Sequence, residues 1–362
     1  MAVAYLQGGA QTTVTATMTE LFPALWFNTK NKKPTSVKEL ENFIYDYDNK
    51  SNKAYLDGQD RESGAKNIDL AFTKIEPKMK QVKLQNAFAI TNYLFDTDAE
   101  NPINYVVWGY RKKPAGVPDN HSGDVFLIHK NKDITGVSLK AGLDKSMEPK
   151  LNTYVGTTLR QPYYKSVDST AEAKLKRRLW KEVYSKIKAP KSVNENNYYV
   201  TSGERTSTNK DMVNSLLAFW TRSGGDKPNN AFDKAYQVMT KVCREELANI
   251  VNKNVKATKE WIRKEFRLQK EQEVPLIVIK AVGETYRELG DPVPRFLPKV
   301  TKVKAYLNNN SVQEWFIDLM SNKKKLTLKM TIRSDSGFRP DKPKGKLGKF
   351  NMLKLQYGGV KK

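Results

Sequence analysis

Residues of three chemical types gather in the stretch 121–154, HSGDVFLIHKNKDITGVSLKAGLDKSMEPKLNTY. Asp124 stands where one alternating segment begins, and Ser138 and Lys140 lie two residues apart in the next. Side chains at i and i+2 of a strand project from the same face of the pleat, so Ser138 and Lys140 share a face. Glu148 follows a few residues later. Carboxylates hold Mg²⁺, and a lysine offsets negative charge developing on a phosphate. Together they are what metal-assisted phosphodiester hydrolysis requires.

A β-hairpin is the element that must position them. Residues 123–130 alternate, Asn131-Lys132 supplies a turn, and 134–141 reads as the second strand. Residues 104–110, NYVVWGY, are an apolar strand that would lie beside the hairpin and complete a three-stranded meander. The segment Gly-Val-Ser-Leu-Lys-Ala-Gly is an apolar strand carrying a lysine that its packing does not need. An ordinary surface hairpin is the alternative reading of the same pattern.

An Asp at a strand entrance, then a residue-x-Lys tripeptide across the hairpin, resembles the PD-(D/E)xK, or restriction-endonuclease-like, nuclease superfamily over residues 100–160. The tripeptide here is Ser138-Leu139-Lys140, so the usual acid is missing. The resemblance implies that Glu148 supplies the displaced carboxylate, as in members that carry Ser-x-Lys. It implies that Asp124 and Glu148 hold Mg²⁺, with Mn²⁺ as a substitute, and that the backbone carbonyl of Leu139 is a further ligand. Lys140 would orient the attacking water or offset charge in the transition state. An acid on the first core helix, Glu20, would approach the metal; a partly exposed helix carboxylate is the alternative for that residue. Pro118-Asp119 spells the family's "PD", but Gly116, Pro118 and Asn120 make that segment a loop, and Asp124 is the expected ligand.

The chain of 362 residues holds 63 Lys and Arg against 39 Asp and Glu, a net charge of +24, which favours a polyanionic partner. Ribosomal or membrane-surface binding would fit the charge as well. An apolar fraction of 39% with 10% aromatics suits a folded chain rather than a disordered one. One cysteine, Cys243, excludes a disulfide framework and fits a reducing compartment; with only two histidines it also argues against a structural zinc site. The first residues show no basic segment followed by an apolar core, and no apolar run approaches a membrane span, so a soluble protein of the cytoplasm is expected. The Lys- and Asn-rich style is that of a phage or bacterial-defence gene, which would place it in the host cytoplasm.

Helices are expected over 12–27, with Pro23 kinking or ending the first, over 37–49 behind a Ser36 cap, and over 76–95. Residues 49–66 and 189–209 read as loops. A basic helix over 169–187 carries Lys174, Arg177 and Arg178, and three more helices follow at 210–222, 230–253 and 258–270. Residues 275–283 are a buried strand that returns to the hairpin's sheet. After Pro292, Pro294 and Pro298 the pattern alternates with period two to the C-terminus, and its loop carries Lys344, Lys346 and Lys349.

The expected class is α/β (α+β). A mixed-sheet, restriction-endonuclease-like core over 1–290 would carry a helical insertion at 160–270, and a basic antiparallel β subdomain would span 298–362. The expected function is a Mg²⁺-dependent DNA endonuclease whose phosphate grip comes from Lys174, Arg177, Arg178, Lys344, Lys346 and Lys349. Two rivals fit the charge equally: a non-catalytic nucleic-acid-binding protein on the same fold, and a DNA-associated viral structural protein.

Overall fold

The computed structural model describes residues 4–48, 50–119, 121–141, 151–202, 205–225, 227–266, 274–322, 324–334 and 353–361. The elements begin with α1 (Gly8–Thr29), α2 (Val37–Tyr45), α3 (Gly58–Thr73), α4 (Pro77–Glu100), β1 (Ile103–Trp108), β2 (Val125–His129), β3 (Ile134–Ala141) and β4 (Leu151–Tyr154). Next come α5 (Val155–Arg160), α6 (Pro162–Lys165), α7 (Ala171–Glu182), β5 (Tyr199–Ser202), β6 (Arg205–Thr208), α8 (Lys210–Arg222), α9 (Ala231–Lys253) and α10 (Val255–Phe266). The chain closes with β7 (Leu276–Val282), β8 (Thr285–Glu288), α11 (Val293–Phe296), β9 (Lys302–Leu307), β10 (Glu314–Met320), β11 (Lys325–Arg333) and β12 (Lys354–Val360). It is a mixed α/β protein that divides into two compact units, Met1–Glu148 with Arg267–Asp291, and Pro149–Phe266 with Pro292–Lys362.

In the first unit a five-stranded mixed sheet runs β1-β2-β3-β7-β8. The first three strands are an antiparallel meander, and β7 joins β3 in parallel with Gly136 opposite Leu276 and Lys140 opposite Lys280. A parallel neighbour needs a long crossover, and the whole stretch between β3 and β7 supplies it. Helices α1 and α4 cover one face. Val14, Met18, Leu21, Phe22, Leu25 and Trp26 recur at helical spacing on α1 and are all buried, against Val106, Trp108, Val125, Leu127 and Val137 of the sheet.

Pro23 neither ends nor breaks α1. An interior proline costs about 3 kcal/mol, and here the buried apolar face on both sides of it offsets that cost. Ser36 caps α2 as expected by accepting from the Glu39 N–H, while Glu39 reaches back to the Thr35 N–H at 2.6 Å. The polar stretch read as a loop over 49–66 instead enters α3, which Asp57 starts by accepting from the Asp60 N–H. Gly64 lies within that helix for want of space: a Cβ there would meet the Tyr55 ring at 2.8 Å. Few apolar residues mark the helix, so its cap and this close approach define it more than periodicity does.

The second unit corrects the expected division of the chain. The stretch read as a helical insertion and the C-terminal strands read as a separate subdomain form one body. Strand β4 pairs with β12, giving the sheet order β4-β12-β11-β10-β9. Helix α9 packs on β9, where Asn252 exchanges two hydrogen bonds with the Ala305 backbone. Arg244 of α9 donates to the carbonyls of Ser311 and Glu314, and Phe266 stacks on Tyr357 with ring centroids 4.6 Å apart. Each stretch has one apolar side, and each covers the other's. The loop read over 189–209 contains the β5–β6 ladder. Among the described residues, no helix is long and apolar enough to cross a membrane.

Candidate active site

Asp124 is strapped in place by its own backbone. Its N–H donates to the Val137 carbonyl and its carbonyl accepts from the Gly109 N–H, both at 2.9 Å, so it sits between the end of β1 and the middle of β3. Beyond that point β3 outruns β2 and runs on beside β7 alone. The Asp124 carboxylate takes over the vacated edge: Oδ2 accepts from the Leu139 N–H at 2.7 Å and from Ser138 Oγ at 3.1 Å. In a strand the N–H and C=O of one residue point to the same side, so the Leu139 carbonyl is directed toward the Asp124 side of β3. Lys83 of α4 pins the strand's far end through the Ala141 carbonyl at 2.8 Å.

Glu20 comes from α1. Trp108 Nε1 donates to its Oε2 at 3.0 Å. Its pKa is pushed up to about 8, first by loss of hydration and then by the negative charge of Asp124; the Trp108 bond, Lys140 and Lys113 oppose the rise. Glu20 is therefore within electrostatic reach of Asp124, Lys140 and Lys113, and Lys113 of Asp124. Lys113 donates to the carbonyls of Gly109 and Gly123 at 3.0 and 2.8 Å and lies over the Phe126 ring. Burial lowers its pKa against the pull of Asp124 and Glu20. Lys140 makes no hydrogen bond or ion pair among the described residues and is half-buried.

His121 braces the approach to Asp124. Its Nδ1 accepts from the Gly123 N–H at 2.9 Å, which leaves Nε2 protonated toward the Val274 carbonyl at 3.1 Å. The ring points its Cε1 edge at Gly136, where a Cβ would meet it at 2.1 Å, and packs T-shaped with Phe126. One imidazole thus ties the entrance of β2 to that of β7.

Of the site residues expected from sequence, Asp124 and Leu139 are joined by a hydrogen bond, and Asp124 and Lys140 each lie within electrostatic reach of Glu20. Asp119 is exposed in its loop. Glu148, Lys344, Lys346 and Lys349 lie outside the described residues. Lys174, Arg177 and Arg178 are on α7 of the second unit. Lys174 pairs with Asp168 at 2.8 Å, and Arg178 is held by Glu182, Glu245 and Glu246 at 2.6–2.9 Å, so its guanidinium is occupied inside the protein. Arg177 is exposed. Lys113, Trp108 and His121 were not singled out by sequence reasoning. Lys113 sits in the Arg-Lys-Lys run that follows the apolar strand, and the fold turns it inward.

Two carboxylates and a strand carbonyl are hard oxygen donors of the kind Mg²⁺ takes, with water and phosphate completing its shell. Lost hydration, and after it the charge of Asp124, raises the Glu20 pKa, and a divalent cation beside it would favour the ionised carboxylate. The donor set fits the ion. Among the described residues, no group of three or more His, Cys, Asp or Glu side chains forms a ready ligand cluster. An open groove of about 870 Å³ elsewhere in this unit is lined by Trp26, Phe43, Tyr47 and Tyr105. Its lysines lie over its own rings or pair with Asp48, and it carries no comparable chemistry. Comparison with protein-family models, curated proteins and solved structures found no match.

Proposed function

We propose that this chain is a Mg²⁺-dependent DNA endonuclease of the restriction-endonuclease-like type. The observation that carries the reading is that Asp124 and Lys140, from separate elements at the splayed end of one sheet, both lie within electrostatic reach of Glu20 on α1. Three ionisable groups of this kind cost stability where they stand, and the sheet does not need them for packing. The order helix, antiparallel meander, long crossover and parallel return strand supports the same family. So does the net charge of +24.

In this reading Asp124, Glu20 and the Leu139 carbonyl hold the cation, with Glu148 as a further carboxylate. Bound there, Mg²⁺ supplies a water of lowered pKa and neutralises the scissile phosphate. Ser138 keeps Asp124 turned toward the site through its hydroxyl, since it has no carboxylate of its own. Lys140 stands on the open side, where its ammonium meets the phosphate or orients the water. Trp108 restrains Glu20 in the resting protein, and the charge of Lys113 offsets that of the two carboxylates. DNA is the proposed partner because the charge excess needs a phosphate backbone to answer it.

The test is incubation of the purified chain with supercoiled plasmid and Mg²⁺ or Mn²⁺, beside an EDTA control. Cleavage lost on chelation and lost in Asp124→Asn is the expected result. Tight DNA binding without cleavage in either metal would replace the nuclease with a non-catalytic binding protein.

A further inference from the structure

Tyr110 is 40% exposed, two residues beyond the end of β1. Its ring stacks on that of Trp108 with centroids 4.5 Å apart and planes 8° from parallel. Trp108 is completely buried and donates to Glu20, so the series Glu20, Trp108, Tyr110 runs by direct contact from a proposed metal ligand to the surface. Trp108 covers one face of the Tyr110 ring, which leaves the other face and the edge as the exposed part. The guanidinium of the exposed Arg111 lies over the same ring, 5.5 Å from its centroid. The turn that carries the ring is fixed at three points. The Gly109 N–H donates to the Asp124 carbonyl at 2.9 Å, Lys112 pairs with Asp57, and Lys113 donates to the carbonyls of Gly109 and Gly123. The first of these bonds also straps Asp124, so ring and carboxylate keep their spacing. A ring held in this way loses little freedom when a planar ligand stacks on it.

We propose that the Tyr110 ring is a stacking platform for one nucleobase of the DNA strand whose phosphodiester enters the site, with Arg111 turning to an adjacent phosphate. A base inside a duplex has both faces covered by its neighbours, so the platform takes a base that is unpaired or lifted from the stack. This rests on the nuclease reading and names its substrate: DNA that is single-stranded or distorted at the cut. An aromatic pair that only shields Trp108 and Glu20 from water is the competing account.

The test titrates the chain into single-stranded oligonucleotides that carry one 2-aminopurine, moved position by position, in EDTA so that no cleavage intrudes. Stacking quenches this base, so the wild type should quench it at one place along the strand. Tyr110→Leu still covers Trp108 but offers no π face. It should abolish that quench and weaken binding about tenfold, while Tyr110→Phe and Tyr110→Trp should keep both. The slope of log affinity against log salt should not change in Tyr110→Leu, since a stacked base releases no counterion. Arg111→Met should flatten it by about 0.7, one phosphate contact on a single strand. The matched duplex should show no such loss in Tyr110→Leu, and an equal loss there would overturn the unpaired-base assignment. A folded Tyr110→Leu with wild-type quench and affinity would overturn the platform and leave the pair structural. If that variant does not fold, irradiating the wild type with a 5-iododeoxyuridine strand decides: the crosslinked peptide must carry Tyr110, and a crosslink elsewhere or none overturns the proposal. A wild type that stacks the base but cleaves nothing in Mg²⁺ or Mn²⁺ would remove the nuclease reading and keep the platform, whereas cleavage with indifferent Tyr110 variants would remove the platform alone.

Discussion

The carboxylate of Asp124 caps the backbone N–H of Leu139 at 2.7 Å, across a hairpin turn, where the β2 ladder has ended. A side chain has replaced a strand partner, so the residue proposed to hold the cation also completes the sheet. Charge and shape can be separated at this position.

Asp124→Asn keeps an oxygen to accept from Leu139 and loses only the charge. Cleavage should fall by roughly 100- to 1,000-fold, the scale of a few kcal/mol of lost transition-state stabilisation. The melting temperature should move by less than about 4 °C, because the backbone straps to Gly109 and Val137 remain. Plasmid cleavage and thermal melts on the same preparation check both halves. Full activity in the variant would remove the site.

Ser138 is 2% exposed and its hydroxyl touches Asp124, so restoring the family's acid there is not a neutral exchange. Ser138→Glu would press a second carboxylate against Asp124. In EDTA it should destabilise the chain by about 3–5 kcal/mol, the scale of a buried charge left uncompensated. Mg²⁺ or Mn²⁺ should recover most of that loss, and Ser138→Glu should partly rescue cleavage by Glu148→Gln. Thermal shift with and without metal reads the first effect. Destabilisation that metal leaves untouched would show that no cation reaches this edge.

The hairpin and the C-terminal strands were legible because each follows a two-residue alternation bounded by turns, and the return strand because it is an unbroken apolar run. Residues 134–141 were read as a strand, and β3 spans that range. What eluded the sequence has physical causes. Helix α3 is set by Asp57 and by a contact of Gly64 with a residue outside the helix, neither of which shows as periodicity. The grouping of β4 with β12 depends on pairing across most of the chain's length, which no local pattern encodes. At the site, Asp124 and Lys140 were readable from one hairpin. Lys113 was not, since an Arg-Lys-Lys run acquires meaning only from what the fold sets beside it.

Arg178 separates a structural cation from a nucleic-acid contact. Its guanidinium bonds Glu182 of its own helix and Glu245 and Glu246 of α9, which holds its pKa well above the usual range. Arg178→Met should lower the stability of the second unit by about 1–2 kcal/mol, discounted for partial exposure, and detach α7 from α9. DNA affinity and its salt dependence should change far less than in Arg177→Met, whose side chain is exposed. Urea melts beside anisotropy titrations make the comparison. A salt slope reduced by one in Arg178→Met, without loss of stability, would return the residue to the DNA surface.

Glu20 gives the site a pH signature that does not depend on turnover. Its folded pKa of about 8 lies above the ordinary 4.5, raised by lost hydration and by Asp124, so between those values the folded chain keeps a proton that the unfolded chain has released. The stability tied to this group is complete below pH 4.5 and is lost as pH rises through 8. Glu20→Gln retains an oxygen for Trp108 and cannot ionise. In EDTA the variant should therefore gain on the wild type steadily from pH 5 to pH 8, a difference that melts at matched pH will show. Cation binding near pH 7 should draw that proton off, so the calorimetric heat of Mg²⁺ or Mn²⁺ binding should vary with the ionisation enthalpy of the buffer. That dependence should vanish in Glu20→Gln. Parallel stability curves for variant and wild type would mean that Glu20 ionises as an ordinary carboxylate and does not share its charge with Asp124.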